Sequence, residues 1–279
     1  TYWYTHIDND ITAQTDHQYT AGFTFSWFSE KLTAMPQLRI LPAHRHFTQA
    51  GVEAEIMLFT PRSIFTLPPP ADDRPYSSTF IVRSVGRSFL ANTNTWYEAG
   101  LGLGMIGPSS QVWRFQNLIH ALTPHSQDAV GWDKQIADAL IIQYELALKQ
   151  RLWTSSWSHL LGDVETRIGS GFVDAALGME IRFGKMHALS DEYSRSADQH
   201  HFYFFWRSQL RAVAYNITLQ SSMIGSEAAD LYREPVRDVG RMTAGMVYRF
   251  PRMSLQLSQD FWSPEFVGGP FHSWGRLAL

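Results

Sequence analysis

Three groups of side chains have the types and spacing to do hydrolytic chemistry. Asn9 and Asp10 close an aromatic-led stretch, TYWYTHIDND, with hard oxygen donors, and Thr20 follows within Tyr19-Thr20-Ala21-Gly22. Gln116 and His120 lie four positions apart in Ser110–Leu122 (SQVWRFQNLIHAL), a spacing that puts them on one helix face. A histidine beside a carboxylate and amides can act as general base on water, because its pKa lies near working pH. Asp10 and Asn9 offer oxygen ligands of the kind Ca²⁺ takes. A bound cation could stabilise the oxyanion of an ester under attack. A serine nucleophile is disfavoured, since there is no G-x-S-x-G elbow and only Ser109 and Ser110 lie near His120.

Each feature also has an ordinary reading. Asn-Asp pairs commonly form turns, a Thr after a Tyr commonly fills a strand, and an amphipathic loop helix can carry a His that is merely solvated. His44 and His46 alternate and could bind a metal, but read as structural. His200-His201 reads as a strand entry, and Asp72-Asp73-Arg74 as an exposed loop face.

The elements that must position these groups are strands. Period-2 alternation recurs along the chain: Tyr97, Ala99, Leu101, Leu103 and Met105 oppose Glu98, Gly100, Gly102 and Gly104. Leu140 to Leu148 oppose Gln143, Glu145 and Ala147 in the same way, and Leu177 to Phe183 oppose Glu180 and Arg182. Successive side chains on a strand point to opposite sheet faces, so each segment has one apolar and one polar face. Twelve strands are expected, near 2–10, 19–31, 50–59, 76–89, 96–106, 135–152, 158–169, 175–184, 201–217, 236–250, 252–263 and 271–279. Ser110–Leu122 breaks the pattern and is expected as a helix, capped by a Ser at its start and stopped by Pro124.

Composition narrows the class. Hydrophobic content of 44% and charged content of 18% are globular rather than disordered. A formal charge of −3, without a Lys/Arg-rich run, gives no nucleic-acid signature. The absence of Cys excludes disulfides and zinc–thiolate sites. No apolar run approaches the ~18 residues of a transmembrane helix. A soluble β-protein and a transmembrane barrel both remain. Strands of barrel length with Trp and Tyr near their ends favour the all-β transmembrane barrel, apolar face to lipid and charges in the lumen. No repeat, low-complexity tract or linker divides the chain, so one domain over 1–279 is expected.

Topology then brings the chemical groups together. With a periplasmic N-terminus, the connections after odd-numbered strands share the outer side. The first carries Asn9, Asp10 and Thr20, and the fifth carries Gln116 and His120. The connections Ala34–Gln49 and Gly184–His200 are long on what should be the short-turn side.

At these residues the sequence resembles the LpxR-type outer-membrane lipid A 3′-O-deacylases. The likeness lies in Asn9-Asp10, Tyr19–Gly22, Ile106–Pro108 followed by Gln116–His120, and the W-x-x-Q-I segment Trp132–Ile136. The resemblance implies a twelve-stranded outer-membrane barrel that hydrolyses the ester holding the 3′-acyloxyacyl group on lipid A, with Ca²⁺. Carried onto this chain, His120 resembles the base that activates water, and Asp10, helped by Asn9, the cation ligand. Thr20 and Gln116 resemble site-shaping groups. The family carries a functional lysine in the loop after the third strand; the aligned residue here is Thr66, and Arg62 is the nearest base to meet a substrate phosphate. The implied partners are lipopolysaccharide and outer-membrane lipids, with no nucleic acid; a monomer is favoured. The alternatives are a barrel phospholipase-type esterase and a non-enzymatic channel or structural barrel.

Overall fold

A computed structural model describes residues 1–10, 18–32, 47–66, 70, 72–116, 129–186, 200–222, 231–251 and 253–279. The strands are β1 (Tyr2–Asn9), β2 (Gln18–Ser29), β3 (Phe47–Thr60), β4 (Ser77–Leu90), β5 (Thr95–Ile106) and β6 (Ala139–Thr154). They continue as β7 (Ser158–Gly169), β8 (Phe172–Lys185), β9 (His201–Asn216), β10 (Asp238–Arg249), β11 (Ser254–Trp262) and β12 (His272–Ala278). Each pairs antiparallel with its sequence neighbours, and β1 pairs with β12 to close the barrel. Closure leaves no strand edge with unpaired backbone groups. Among the described residues no helix is long and apolar enough to cross a membrane.

The alternation expected from the sequence is the wall itself. Leu101, Leu103, Leu140, Ile142, Leu177, Met179 and Phe204 stand exposed on the outside, whereas the charged residues between them turn inward. A basic side chain at the lipid midplane costs ~2–4 kcal/mol, so the period-2 pattern also fixes which face is the lumen. Trp3, Trp27, Trp153 and Trp157 stand exposed near one rim, as interfacial aromatics do.

The lumen is filled by ion pairs. Arg83 joins Glu53 at 2.9 Å and Glu145 at 3.2 Å, and also Glu55. Arg207 binds Asp163 at 2.7 Å and Glu165 at 2.5 Å, while Arg211 links Glu165 to Asp174 and Arg167 meets the same Asp174. Arg276 holds Asp8 through two bonds, at 2.6 and 2.8 Å. Pairing of this kind offsets the cost of holding each charge away from bulk water.

The two barrel ends differ. At the end where Thr1 and Leu279 lie, Ala91–Asn94 makes a tight turn. The opposite end, the capped end, is tied across its mouth. There Arg74, fully buried, donates to Glu265 at 2.6 Å and to Thr218 at 2.8 Å, and its guanidinium lies 4.1 Å over the Phe59 ring. The Asp73 carboxylate accepts from Gln18 Nε2 (3.1 Å) and from the Arg62 amide (2.6 Å), and the Asp73 carbonyl accepts from Arg233. Burial lowers the pKa of Arg74 from its ordinary value, and the Glu265 carboxylate opposes that shift.

This corrects the reading of Asp72-Asp73-Arg74 as an exposed loop face: only Asp72 is exposed, and the other two knot three connections together. Sequence composition could not tell a solvated charge pair from one whose partners lie more than 140 residues away. Two further expectations shift. Residues 135–138 do not belong to β6, because a 3₁₀ turn at Trp132–Lys134 precedes it. Long connections are also not uniform at the capped end, since β7 and β8 join through Ser170 and Gly171 alone. Most of 34–49 and 184–200, with His44 and His46, lies outside the described residues.

Candidate active site

Asn9 is the last residue of β1 and pairs with Ala21 on one side and Gly275 on the other. Its neighbour Asp8 faces the lumen with Arg276, so strand alternation turns Asn9 outward, beside Ile7 and Leu277. Asp10 leaves the strand in a 3₁₀ conformation and is 3% exposed. The two adjacent residues therefore do not share a strand face.

On β2 a bulge falls between Tyr19 and Ala21, which makes Thr20 the extra residue. Strict alternation would put Tyr19 and Ala21 on the same face; the bulge separates them. Tyr19 turns into the lumen, donating its hydroxyl to Asp8 at 3.0 Å and meeting Trp274 edge-on at 4.7 Å. Ala21 stays on the outer wall, packed with Leu58. The Thr20 hydroxyl, 3% exposed, pairs with that of Thr60 at 2.7 Å. Gly22 completes the motif for a steric reason. A Cβ at position 22 would lie 1.9 Å from the Tyr19 hydroxyl, so glycine opens the space through which Tyr19 reaches Asp8.

The connection from β5 to β6 folds back over the outside of the wall. Ala21 and Leu58, both outward residues, are buried under Ile64, Tyr76, Val112, Ala129 and Trp132. Apolar burial of this kind, about 25 cal/mol per Å², explains why a polar-looking connection adheres to the barrel instead of extending into water. Its entry is the Ile106-Gly107-Pro108 element, where Gly107 has φ +101 and Ser78 binds its carbonyl and Ser110. Of the segment expected as one helix, Ser110 ends a 3₁₀ turn at Pro108–Ser110, Gln111 breaks the run with φ +59, and a helical turn follows at 113–116; residues 117–122 lie outside the described residues. Ser110 Oγ accepts from the Val112 amide at 3.3 Å, three residues ahead of the helical turn, and so does not cap it as expected. Ser109 is tied to Asp138 at 2.6 Å, so both nearby serine hydroxyls are engaged in holding the loop.

Gln116, 2% exposed, accepts a 3.0 Å hydrogen bond from Trp132 Nε1. Trp132 in turn packs edge-on against Tyr76 at 4.9 Å. The W-x-x-Q-I segment thereby acquires a physical role that no local pattern reveals: its indole fixes the amide of Gln116, and its Gln135 binds Ser78 at 2.8 Å. Arg62 sits at the same end, half exposed, donating to the Gly268 carbonyl at 3.2 Å with Nε 3.9 Å from Asp73. Thr66, aligned with the family lysine, meets Ser63 at 2.8 Å. His120 lies outside the described residues.

The structure thus brings Asn9, Asp10, Thr20 and Gln116 to the capped end of β1–β3, three of them buried. Among the described residues no three His, Cys, Asp or Glu side chains cluster as a metal site. The donors a cation could take at this rim are the Asp10 carboxylate and neutral oxygens of Asn9 and Thr20. Such an all-oxygen set suits Ca²⁺.

LpxR from Salmonella typhimurium superposes with a TM-score of 0.79 at 16% identity, covering 99% of each chain, a likeness of fold. The β domain of the Bordetella autotransporter BrkA gives 0.48 at 9% identity, covering 99% of this chain and 96% of that one. No curated protein matches the sequence. The family model described as outer membrane protein LpxR matches residues 1–279. The chain belongs to the LpxR family of outer-membrane proteins.

Proposed function

We propose that this protein is a lipid A 3′-O-deacylase, hydrolysing the ester that holds the 3′-acyloxyacyl group. The observation that carries the reading is the site's side of the wall. Gln116 rides on a connection packed against outward-facing Ala21 and Leu58, next to outward-facing Asn9. With the capped end at the cell surface, a lipid of the outer leaflet can bring an ester to this rim without leaving the bilayer. The ion-paired lumen gives no comparable support to a channel.

In this mechanism His120 removes a proton from water, whose oxygen attacks the ester carbonyl. The tetrahedral intermediate collapses by breaking the bond to the sugar 3′ oxygen, and His120 returns the proton to that oxygen. Asp10 and Asn9 would hold Ca²⁺, which when bound supplies positive charge beside the developing oxyanion. Gln116, oriented by Trp132, and Thr20 shape the pocket around the carbonyl, and Arg62 meets a substrate phosphate. No acyl-enzyme forms.

The test is mass spectrometry of lipid A incubated with purified protein in detergent, with Ca²⁺ and then with chelator, alongside His120→Ala. Loss of one acyloxyacyl unit that requires both Ca²⁺ and His120 is the expected result. Intact lipid A under every condition would sink the proposal and direct attention to glycerophospholipids.

A further inference from the structure

The wall beside Asn9 is not evenly covered. In the row of outward residues Trp206, Ala244, Gln259, Gly275 and Asn9, each is the register partner of the next across β9, β10, β11, β12 and β1. One pleat toward the terminal end runs a second row, Phe204, Met246, Leu257, Leu277 and Ile7. The second row is bulky, apolar and exposed. In the first row Ala244 and Gly275 have almost no side chain. The result is a groove of about 740 Å³ on the outer wall, lined by the second row and by Asn9, Ala244, Gln259 and Gly275 of the first.

The groove has a chemical polarity. Asn9 and Gln259 stand on either side of the Gly275 gap, so two carboxamides border its upper edge while Met246, Leu257 and Leu277 form its apolar length. A carboxamide both donates and accepts, which suits an ester or amide linkage flanked by hydrocarbon. The groove is also continuous with the candidate site. Asn9 has Gly275 on one side and, on the other, Ala21, which lies under the β5–β6 connection.

We propose that this groove holds one acyl chain of lipid A: the chain lies over Gly275 with its polar linkage between Asn9 and Gln259, and so presents the ester at the adjacent rim. The inference rests on the deacylase reading for the identity of the lipid. It goes beyond that reading by assigning residues that set chain recognition and the direction of approach. The groove residues act by positioning, with Gly275 contributing the absence of a side chain.

Two measurements separate this inference from the activity it serves. Gly275→Leu fills the floor with a residue at home on a lipid-facing wall, and Gly275→Ala fills it partly; folding of both is verified by heat-modifiable gel mobility. Turnover of lipid A by Gly275→Leu is expected to fall at least about tenfold, mainly through KM. Gly275→Ala should be intermediate. In parallel, lipid A carrying a diazirine on an acyl chain is photolysed with the protein, with diazirine-bearing phosphatidylethanolamine as comparison. Crosslinks should concentrate on β10–β12 for lipid A and fade in Gly275→Leu. Undiminished turnover with crosslinks spread evenly around the wall overturns the groove while leaving the deacylase reading intact. Crosslinks concentrated there in a protein that hydrolyses nothing overturn the deacylase reading and keep the groove. Equal labelling of β10–β12 by phosphatidylethanolamine overturns the assignment to lipid A.

Discussion

The first two strands present opposite solutions on their two faces. On the lumen side, Asp8, Tyr19 and Arg276 form a closed set in which every polar atom named has a close partner: two Arg276–Asp8 bonds and one from Tyr19. On the outer side, Ala21 and Leu58 are packed beneath the loop, and Asn9 is the register partner of Ala21. Asp8 and Asn9 are adjacent in sequence, and only Thr20 separates Tyr19 from Ala21. The lumen set is satisfied from within the barrel and so serves stability. The outer set is finished by a connection that arrives from β5 and by whatever the membrane brings to it. Adjacent residues can therefore divide structure and function between them, provided alternation and one bulge keep the two faces apart.

That division can be attacked from either side. The largest expected effect is on the outer side: His120→Ala should lower lipid A hydrolysis by ~10²–10⁴-fold with the barrel's thermal transition unchanged. A parallel loss of stability would assign His120 to structure instead. Asp10→Ala should cost ~10²–10³-fold, as should chelation of the wild type; added Ca²⁺ should restore the wild type and leave the variant inactive. On the lumen side the readout inverts. Asp8→Ala leaves Arg276 without its bidentate partner and should destabilise the barrel by about 3–5 kcal/mol, measured by urea unfolding in lipid.

Smaller effects sharpen the comparison. Gly22→Ala sets a methyl against the Tyr19 hydroxyl and should cost about 1–3 kcal/mol. Because the clash is with that oxygen, Tyr19→Phe should relieve part of the cost, and a double-mutant cycle should be non-additive. Purely additive energies would mean that Gly22 answers to something other than Tyr19. Smallest is Trp132→Phe, which keeps an aromatic ring against Tyr76 but removes the donor to Gln116, a bond worth about 1 kcal/mol. It should reduce kcat several-fold while leaving the melting temperature nearly unchanged; equal losses in Gln116→Ala and in the Trp132→Phe, Gln116→Ala double variant would trace the effect through Gln116.

How much of this was legible in advance varies by element. The strand segments 158–169 and 201–217 were readable almost to the residue, as β7 and β9, because side-chain alternation is a local signal repeated at every position. The pairing of Asn9-Asp10 with Gln116 at one end was readable too, since it follows from strand parity alone. The opposite orientations of Asn9 and Asp8 were already implied by alternation. Their consequence, that the candidate residue Asn9 stands on the outer wall, was not.

By itself, then, the sequence determined the number of strands and the apolar and polar face of each, and it favoured a lipid-facing barrel over a soluble β-protein. These follow from the two-residue period and the expense of charge in hydrocarbon, which act within each segment. Only the tertiary structure decided that Arg74 is buried between Glu265 and Thr218, that Tyr19 leaves the face of Ala21, and that Val112 and Trp132 cover Leu58. Each of these depends on partners brought together by barrel closure or by a loop folding back. No local pattern in a chain records which distant group will satisfy a buried charge or cover an outward leucine.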